Sequence, residues 1–140
     1  MLRPEITPEV MNQRGAGRLP GLVGLEITRI AADGVSGRLP VRPELLAPNG
    51  YLHAASVIVL ADTLAGYGTL ANLPEGAKSF TTIELKSNFL GTAIDGVITG
   101  MATPAHLGRT TQVWDAVVSD ESGRTIALFR CTQMILYPKQ

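Results

Sequence analysis

Residues His53–Leu70 read HAASVIVLADTLAGYGTL and form the only long helix candidate in the chain. The apolar residues of this stretch fall on every face of a helix, which predicts a helix that is buried nearly all round. The β-branched run Val57–Val59 is also typical of a strand, but the length of the stretch and its alanines favour a helix. Gly66 and Gly68 weaken this helix, and Pro74 ends it.

Segments with strand-like patterns lie on both sides of this helix. Two precede it, separated by the tight-turn signal Asp33-Gly34, and four follow it, separated by turns. The predicted strands are Leu22–Ile30, Val35–Val41, Ser79–Leu90, Gly96–His106, Arg109–Ser119 and Arg124–Tyr137. A short N-terminal helix is predicted over Pro4–Arg14, with Thr7 as its N-cap. The order β-β-α-β-β-β-β predicts an α+β fold in which an antiparallel sheet wraps one buried helix.

The bulk properties of the chain indicate one domain without a strongly charged partner. A chain of 140 residues is the usual size of a single domain. We expect residues 1–20 to form an N-terminal helical segment and residues 21–140 to form the domain. Lys+Arg and Asp+Glu number 12 each, so the net charge gives no reason to expect nucleic acid or an anionic membrane as a partner. With no signal-peptide stretch and no predicted transmembrane segment, a cytoplasmic location is expected.

Residue types that commonly bind metals are few in this chain. A single cysteine, Cys131, excludes an intrachain disulfide, and its place in an alternating segment favours a small buried hydrophobe over a reactive thiol. His53 and His106 have no spacing typical of a metal site, and His106 is interpreted as a turn residue. No metal and no cofactor are therefore expected.

Asp62 is the one residue that conflicts with the apolar character of the long helix. Between Glu44 and Glu75 it is the only residue that carries a full charge at neutral pH. A buried carboxylate is unfavourable unless it is hydrogen-bonded, paired or protonated, and Asp is a poor residue for a helix interior. Such local conflicts concentrate at functional sites. A buried aspartate that only accepts hydrogen bonds from a neighbouring loop is the alternative.

His53 and the start of the helix are the other candidates for a site. His53 and Asp62 are nine residues apart, which is roughly 13 Å along a helix and places them on opposite sides. They are therefore either unrelated or brought together by a two-fold dimer; as an unrelated residue, His53 would cap backbone groups. The first N–H groups of the helix, at Ala54 and Ala55, lack partners within it and could polarise a carbonyl oxygen.

Three segments of the sequence resemble one enzyme family when they are taken together. The segment Asn49–Asp62 resembles the signature Asn-x-x-Gly-x-x-His-Gly-Gly followed by a catalytic Asp or Glu. The segments Thr82–Leu90 and His106–Thr111 extend the likeness, in order and at family spacing. The chain is similar in these segments to hotdog-fold acyl-coenzyme A (CoA) thioesterases, of the phenylacetate-pathway and 4-hydroxybenzoyl-CoA type.

The resemblance implies a hotdog fold and the hydrolysis of an acyl-CoA to a free acid and CoA. In this family the active site lies between two subunits. Asp62 would then be the nucleophile or the general base, the backbone N–H of Ala54 from the other subunit would polarise the thioester carbonyl, and His53 would position that loop or the substrate.

The resemblance also implies a set of binding residues and an assembly. Arg109 would contact the CoA phosphates, for which a guanidinium is well suited, and Lys86 is a second candidate on the same grounds. The other expected substrate- or CoA-binding residues are Asn49, Gly50, Ala55, Thr63 and Thr110. The CoA moiety belongs to the substrate, so no separate cofactor is implied. A homodimer at least, and a homotetramer as is usual in the family, is expected.

The sequence departs from the family pattern at several places. Ala54 and Ala55 replace the two glycines after the histidine, Ala47 replaces an Asn or Gln, and Gly66 replaces a polar residue that is sometimes found four positions after the catalytic acid. The usual Phe-Leu-Arg-Pro is Phe-Leu-Gly-Thr at residues 89–92, so one basic residue near the CoA is absent. The departures at Ala47, Ala54 and Ala55 motivate an alternative, a hotdog protein that binds acyl-CoA without hydrolysing it. A hotdog dehydratase fits the local patterns less well, and the acyl group itself is not predicted.

Overall fold

The chain forms three helices and six strands, and the computed structural model describes all 140 residues. The helices are α1 (Pro8–Gly15), α2 (Leu19–Val23) and α3 (Ala54–Ala71). The strands are β1 (Glu26–Ala31), β2 (Gly34–Pro40), β3 (Ser79–Phe89), β4 (Val97–Leu107), β5 (Thr111–Ser119) and β6 (Thr125–Leu136). A 3-10 turn over Pro43–Leu45 lies between β2 and α3.

All six strands belong to one antiparallel sheet that wraps α3. The strand order is β1-β2-β4-β5-β6-β3, so β1 and β3 are the two edges. Helix α3 contacts every strand of the sheet. The predicted α+β hotdog fold, with a long central helix and a short helix before it, is confirmed.

Glycines, which have no side chain, allow α3 to lie close to the sheet. Leu60 and Leu64 are fully buried against it. A β-carbon at Gly100 would lie 2.7 Å from Cδ1 of Leu64, and one at Gly68 would lie 2.5 Å from Cη2 of Trp114. Any larger residue at these two positions would push the helix away from β4 and β5. The close approach fixes the depth of the residues on the opposite face of α3, where Asp62 lies.

One face of α3 remains partly exposed, which corrects the prediction that the helix is buried nearly all round. Ile58, Val59, Asp62 and Thr63 are half-buried, and the first two helical residues, Ala54 and Ala55, are exposed. By length and composition α3 would suit a membrane span, with a mean hydropathy of 1.4, but 56% of it is buried inside the fold. It is the core helix of this domain.

Helix α1 begins later than predicted but has the predicted cap. Thr7 is the N-cap, and its Oγ1 accepts the N–H of Val10 at 3.2 Å. The helix starts at Pro8 rather than Pro4. Proline at the first helical position is favourable because it has no N–H to leave unpaired.

The prediction that the first strand starts at Leu22 is wrong. Leu22 and Val23 belong to α2, and β1 begins at Glu26. Pro20 occupies the first turn of α2, and Gly24 ends the helix with φ +82°, in the left-handed region that glycine adopts without strain. A proline and a glycine placed in this way are the local signals of a short helix, and they outweigh the apolar pattern that predicted a strand.

Candidate active site

The carboxyl group of Asp62 has no partner within the chain. Its Oδ1 atom is buried and accepts no hydrogen bond, and no lysine or arginine forms an ion pair with it. Burial raises the pKa of Asp62 above its ordinary value of 3.8. A neighbouring loop does not satisfy this carboxylate, so the alternative of a merely hydrogen-bonded aspartate loses its support. An unpaired carboxylate of raised pKa is suited to accept a proton or to attack a carbonyl carbon.

A cavity of about 180 Å³ opens beside Asp62. Asp62 and Thr63 line it together, so the structure brings these two predicted residues to one place. Tyr67 and Phe80 also line it, and sequence reasoning did not single them out. Larger depressions exist on the surface, such as one of about 370 Å³ beside Tyr51, but they contain no residue predicted to be catalytic.

His53 caps the start of α3. Its Nδ1 atom accepts the N–H of Ala55 at 2.9 Å, and the residue is exposed. An Nδ1 that accepts a hydrogen bond places the ring proton on Nε2, which faces away from that bond and can donate to another group. The capping role that the sequence left open is therefore present. His53 and Asp62 are on the same helix and make no contact within one chain.

The backbone N–H of Ala54 is the free donor at the start of α3. It donates to no group in the chain, whereas the N–H of Ala55 is taken by His53. Ala54 and Ala55 are exposed. The dipole of α3 favours negative charge at this end. The two alanines therefore differ. The N–H of Ala54 can donate to a carbonyl oxygen, whereas the N–H of Ala55 donates to the His53 ring that caps the helix.

Asn49 and Gly50 form the turn that leads into α3. The Oδ1 atom of Asn49 accepts the N–H of Tyr51 at 3.1 Å, and Gly50 has φ +87°. The N–H of Gly50 donates to the carbonyl of Ala47 at 2.9 Å. Both residues are exposed near the helix start. Their local contacts are those of a turn, and their role in substrate binding stays a prediction.

Arg109 and Thr110 lie in a bend before β5, which corrects the prediction that the fifth strand starts at Arg109. The Tyr137 hydroxyl donates to the carbonyl of Arg109 at 2.6 Å, and the N–H of Ile135 donates to the carbonyl of Thr110 at 2.9 Å. The guanidinium of Arg109 is exposed and forms no ion pair. The backbone of Arg109 is held by the Tyr137 hydroxyl, and its unpaired guanidinium can bind a phosphate.

Lys86 lies on the outer face of the sheet, away from α3 and Asp62. It pairs in register with Arg130, whose guanidinium forms an exposed ion pair with Asp115 at 2.6 Å. Its neighbour Leu85 pairs with the buried Cys131 on the inner face of the sheet, where Leu85 itself is 40% exposed. A bulge between residues 82 and 84 sets this alternation, and the sequence pattern did not reveal it.

The remaining candidates, Cys131 and His106, do not line the cavity beside Asp62. Cys131 is buried, and burial, with a smaller contribution from the Asp62 charge, raises the pKa of its thiol to about 12. The predicted buried hydrophobe is confirmed. His106 is exposed and lies within β4, one residue before its end, which corrects its interpretation as a turn residue. No group of three histidine, cysteine or acidic side chains could hold a metal ion.

Within one chain the predicted residues fall into four separate places. Asp62 and Thr63 share the cavity. Residues 49, 50, 53, 54 and 55 cluster at the start of α3. Residues 109 and 110 lie beside the end of β6, at the edge of the sheet where β3 begins. Lys86 stands alone on the outer face.

Comparison with known proteins identifies the family. The sequence profile of the Thioesterase superfamily matches residues 49–127. The 1,4-dihydroxy-2-naphthoyl-CoA hydrolase of Escherichia coli is 31% identical to the chain, over 94% of this chain and 96% of that protein.

Two solved structures are similar over nearly the whole chain. A mutant thioesterase from Pseudomonas aeruginosa has a TM-score of 0.91 at 26% identity, covering 96% of this chain and 97% of that one. A thioesterase from Haemophilus influenzae has a TM-score of 0.88 at 27% identity, covering 94% and 91%. These matches are consistent with the unpaired carboxylate of Asp62 and the free N–H of Ala54. The chain belongs to the Thioesterase superfamily as a hotdog-fold thioester hydrolase.

Proposed function

We propose that the protein hydrolyses an acyl-CoA thioester, with Asp62 as the reacting carboxylate at a site that two subunits complete. The single observation that carries the proposal is the carboxyl group of Asp62, whose buried Oδ1 has no hydrogen-bond partner, in a residue that lines a cavity. Relatives named as CoA thioester hydrolases support the substrate class.

Two reaction routes are compatible with this site. As a general base, Asp62 accepts a proton from water while the water oxygen attacks the thioester carbon, and the tetrahedral oxyanion collapses to expel the CoA thiolate. As a nucleophile, an Asp62 oxygen displaces the thiolate to form a mixed anhydride, which water then hydrolyses. In both routes the N–H of Ala54, from the second subunit, donates to the developing oxyanion.

Two features of the chain support a dimer. The edge strand β3 has a free side, and its exposed apolar residues include Ile83 at 54%, Leu85 at 40% and Phe89 at 44%. A long apolar edge strand that is left open promotes association, so natural proteins cover it. The half-buried face of α3 around Ile58 and Val59 is the second feature. A two-fold dimer would give two equal sites, and a homotetramer made of two such dimers is the assembly we propose.

The alternative of an acyl-CoA-binding protein without turnover rests on Ala54 and Ala55, which replace the family glycines, and on Ala47. Ala54 retains a free backbone N–H, so this replacement does not remove the donor that the reaction needs. We therefore favour the enzyme.

A panel of acyl-CoA substrates with a thiol reagent tests the function. We expect CoA release from at least one substrate, and we expect Asp62→Asn to lower kcat by roughly 10²–10⁴-fold, the usual contribution of a general base. Asp95→Asn, which changes an exposed aspartate elsewhere, is the matched control. Tight binding of acyl-CoA without CoA release would contradict the enzyme, and full activity in Asp62→Asn would contradict the role of Asp62.

A further inference from the structure

Thr82, on β3, lines the cavity beside Asp62 but has no role in the proposed function. Thr63 and Tyr67 line the same cavity, so three residues with a hydroxyl group border this space. Of these three, Thr82 alone has its hydroxyl proton engaged within the chain, because its Oγ1 donates to Oε1 of Gln133 at 2.6 Å. The Thr82 hydroxyl is therefore the one with a fixed orientation.

Gln133, on β6, holds the Thr82 hydroxyl from inside the fold. Its side chain is fully buried, and Thr82 is its register partner on β3. The Nε2 atom of Gln133 donates to Sγ of the buried Cys131 at 3.5 Å, and its Oε1 accepts from Thr82. A buried amide is unfavourable without hydrogen bonds, and these contacts give each end of it a partner.

The contact with Gln133 leaves Thr82 as an acceptor towards the cavity. An amide oxygen has no proton, so the hydroxyl is the donor in this contact, and its remaining lone pairs can only accept. Thr82 is exposed within the single chain, so these lone pairs are accessible. The ionised carboxylate of Asp62 is also an acceptor with no proton to give. Two acceptors thus border one space and suit a molecule that donates two hydrogen bonds.

Asp62 lies near the buried network that holds Thr82. The charge of Asp62 contributes to the raised pKa of the Cys131 thiol, and this thiol accepts the hydrogen bond from Gln133. The contacts that orient Thr82 all lie within one chain. A second subunit over the α3–β3 face would enclose the two acceptors, and it is not needed to supply them.

We propose that Thr82 and Asp62 hold the water that attacks the thioester carbon, and that Gln133 positions Thr82 for this task. The inference rests on the proposed function and selects the general-base route. Water has two protons to donate, and two fixed acceptors turn a lone pair of its oxygen towards the carbonyl carbon.

The protons of this step are accounted for. As the water oxygen bonds to the thioester carbon, one of its protons passes to Asp62, and the other stays in its hydrogen bond to Thr82. The oxyanion then collapses and breaks the bond to sulfur. Asp62 gives its proton to the departing CoA thiolate, and the second proton leaves with the free acid.

The first turnover of Thr82→Val tests the assignment. CoA release is followed by stopped flow with a thiol reagent, using the acyl-CoA that the wild type hydrolyses fastest. We expect the first-turnover rate and kcat to fall together by roughly tenfold, the contribution of one ordinary hydrogen bond. KM should change little, whereas the loss of a contact to the CoA moiety alone would raise KM.

Two further variants at neighbouring atoms serve as controls. Thr82→Ser keeps the hydroxyl and should retain most of the rate. Thr81→Val changes the adjacent exposed threonine, which pairs with the exposed Met134, and should match the wild type. A structural role for Thr82 would lower the Tm of Thr82→Val and leave its first-turnover rate unchanged.

Gln133→Leu tests the positioning role. It removes the acceptor of the Thr82 proton, so the hydroxyl can turn and donate to Asp62, and we expect a rate loss similar to that of Thr82→Val. Because Gln133 acts through Thr82, the double variant should be no slower than the slower single variant. Losses that multiply in the double variant would overturn the positioning role of Gln133.

The outcomes separate this inference from the proposed function. A wild-type first-turnover rate in Thr82→Val would remove Thr82 from the reaction and leave thioester hydrolysis intact. A burst of one CoA per site, followed by slow turnover, would show that Asp62 attacks the thioester itself. That result would also overturn the inference while hydrolysis stands. No CoA release by the wild type from any acyl-CoA would overturn the proposed function and this inference together.

Discussion

At the scale of single residues, the burial of the Asp62 carboxylate has an unfavourable free energy that no hydrogen bond or ion pair in its own chain offsets. Its Oδ1 is buried without a partner, and burial raises its pKa above 3.8. A group whose pKa is raised in the folded state stabilises the fold at pH values below its unfolded-state pKa. That stabilisation is lost as the pH rises through the folded-state pKa, because the charged form is the one that burial penalises.

Asp62→Asn should therefore become more stable than the wild type as the pH rises. Below the ordinary carboxyl pKa of 3.8 the two proteins should unfold at similar temperatures, since both then carry a neutral side chain. At neutral pH the variant should have the higher Tm. Thermal unfolding followed by circular dichroism from about pH 3 to pH 8 measures the difference. A wild type that is the more stable protein at neutral pH would contradict this account of Asp62.

The sequence alone identifies Asp62, because a single charged residue within an apolar helix can be recognised without knowledge of the fold. It could not assign the proton of His53, because the hydrogen bond from the Ala55 N–H to Nδ1 depends on the extended backbone of the cap. Nor could it reveal Tyr67 and Phe80 as cavity residues, because they come from different elements and meet only in the folded chain.

At the scale of elements, the start of α3 supplies the donor that the chemistry needs. Ala54 is the first helical residue, and its N–H is unpaired. Proline is well tolerated at this position, because the N–H that it removes has no helical partner. The residue before it, His53, has φ −65° and ψ 137°, a conformation compatible with a following proline.

Ala54→Pro should therefore retain the fold and lose activity. Removal of one oxyanion donor is expected to lower kcat by roughly 10²–10³-fold, with Tm close to that of the wild type. Ala54→Gly keeps the N–H and should retain activity, which makes it the matched control. An Ala54→Pro variant with wild-type kcat would exclude this amide as the oxyanion donor.

The sequence predicts helices and strands well where the apolar pattern and the residues that end an element agree. Helix α3 and the six strands follow from apolar periodicity bounded by glycine, proline and aspartate. Two elements were harder to predict for physical reasons. The helix α2 is too short for periodicity to indicate it, and the bulge in β3 depends on pairing with β6. The bulge decides which face of the sheet carries Lys86, and the sequence pattern does not predict that face.

At the scale of the whole molecule, one edge of the sheet is covered by a helix and the other is not. The β1 edge is covered by α1, where the Asn12 side chain donates to the carbonyl of Ile27 at 3.0 Å and accepts its N–H at 2.8 Å. The β3 edge has no such cover and exposes apolar residues. A second copy of the chain is the natural cover for it. In the dimer that we propose, Asp62 of one protomer and Ala54 of its partner form one site.

The most direct test of this two-chain site is complementation between two inactive variants. Asp62→Asn chains and Ala54→Pro chains carry different tags and are mixed in equal amounts by refolding. A mixed dimer then contains one intact site, made of Asp62 from one chain and Ala54 from the other. Since about half of all dimers are mixed, we predict recovery of about a quarter of wild-type kcat per chain. No recovery in mixed dimers that are isolated by their two tags would contradict a site shared between subunits.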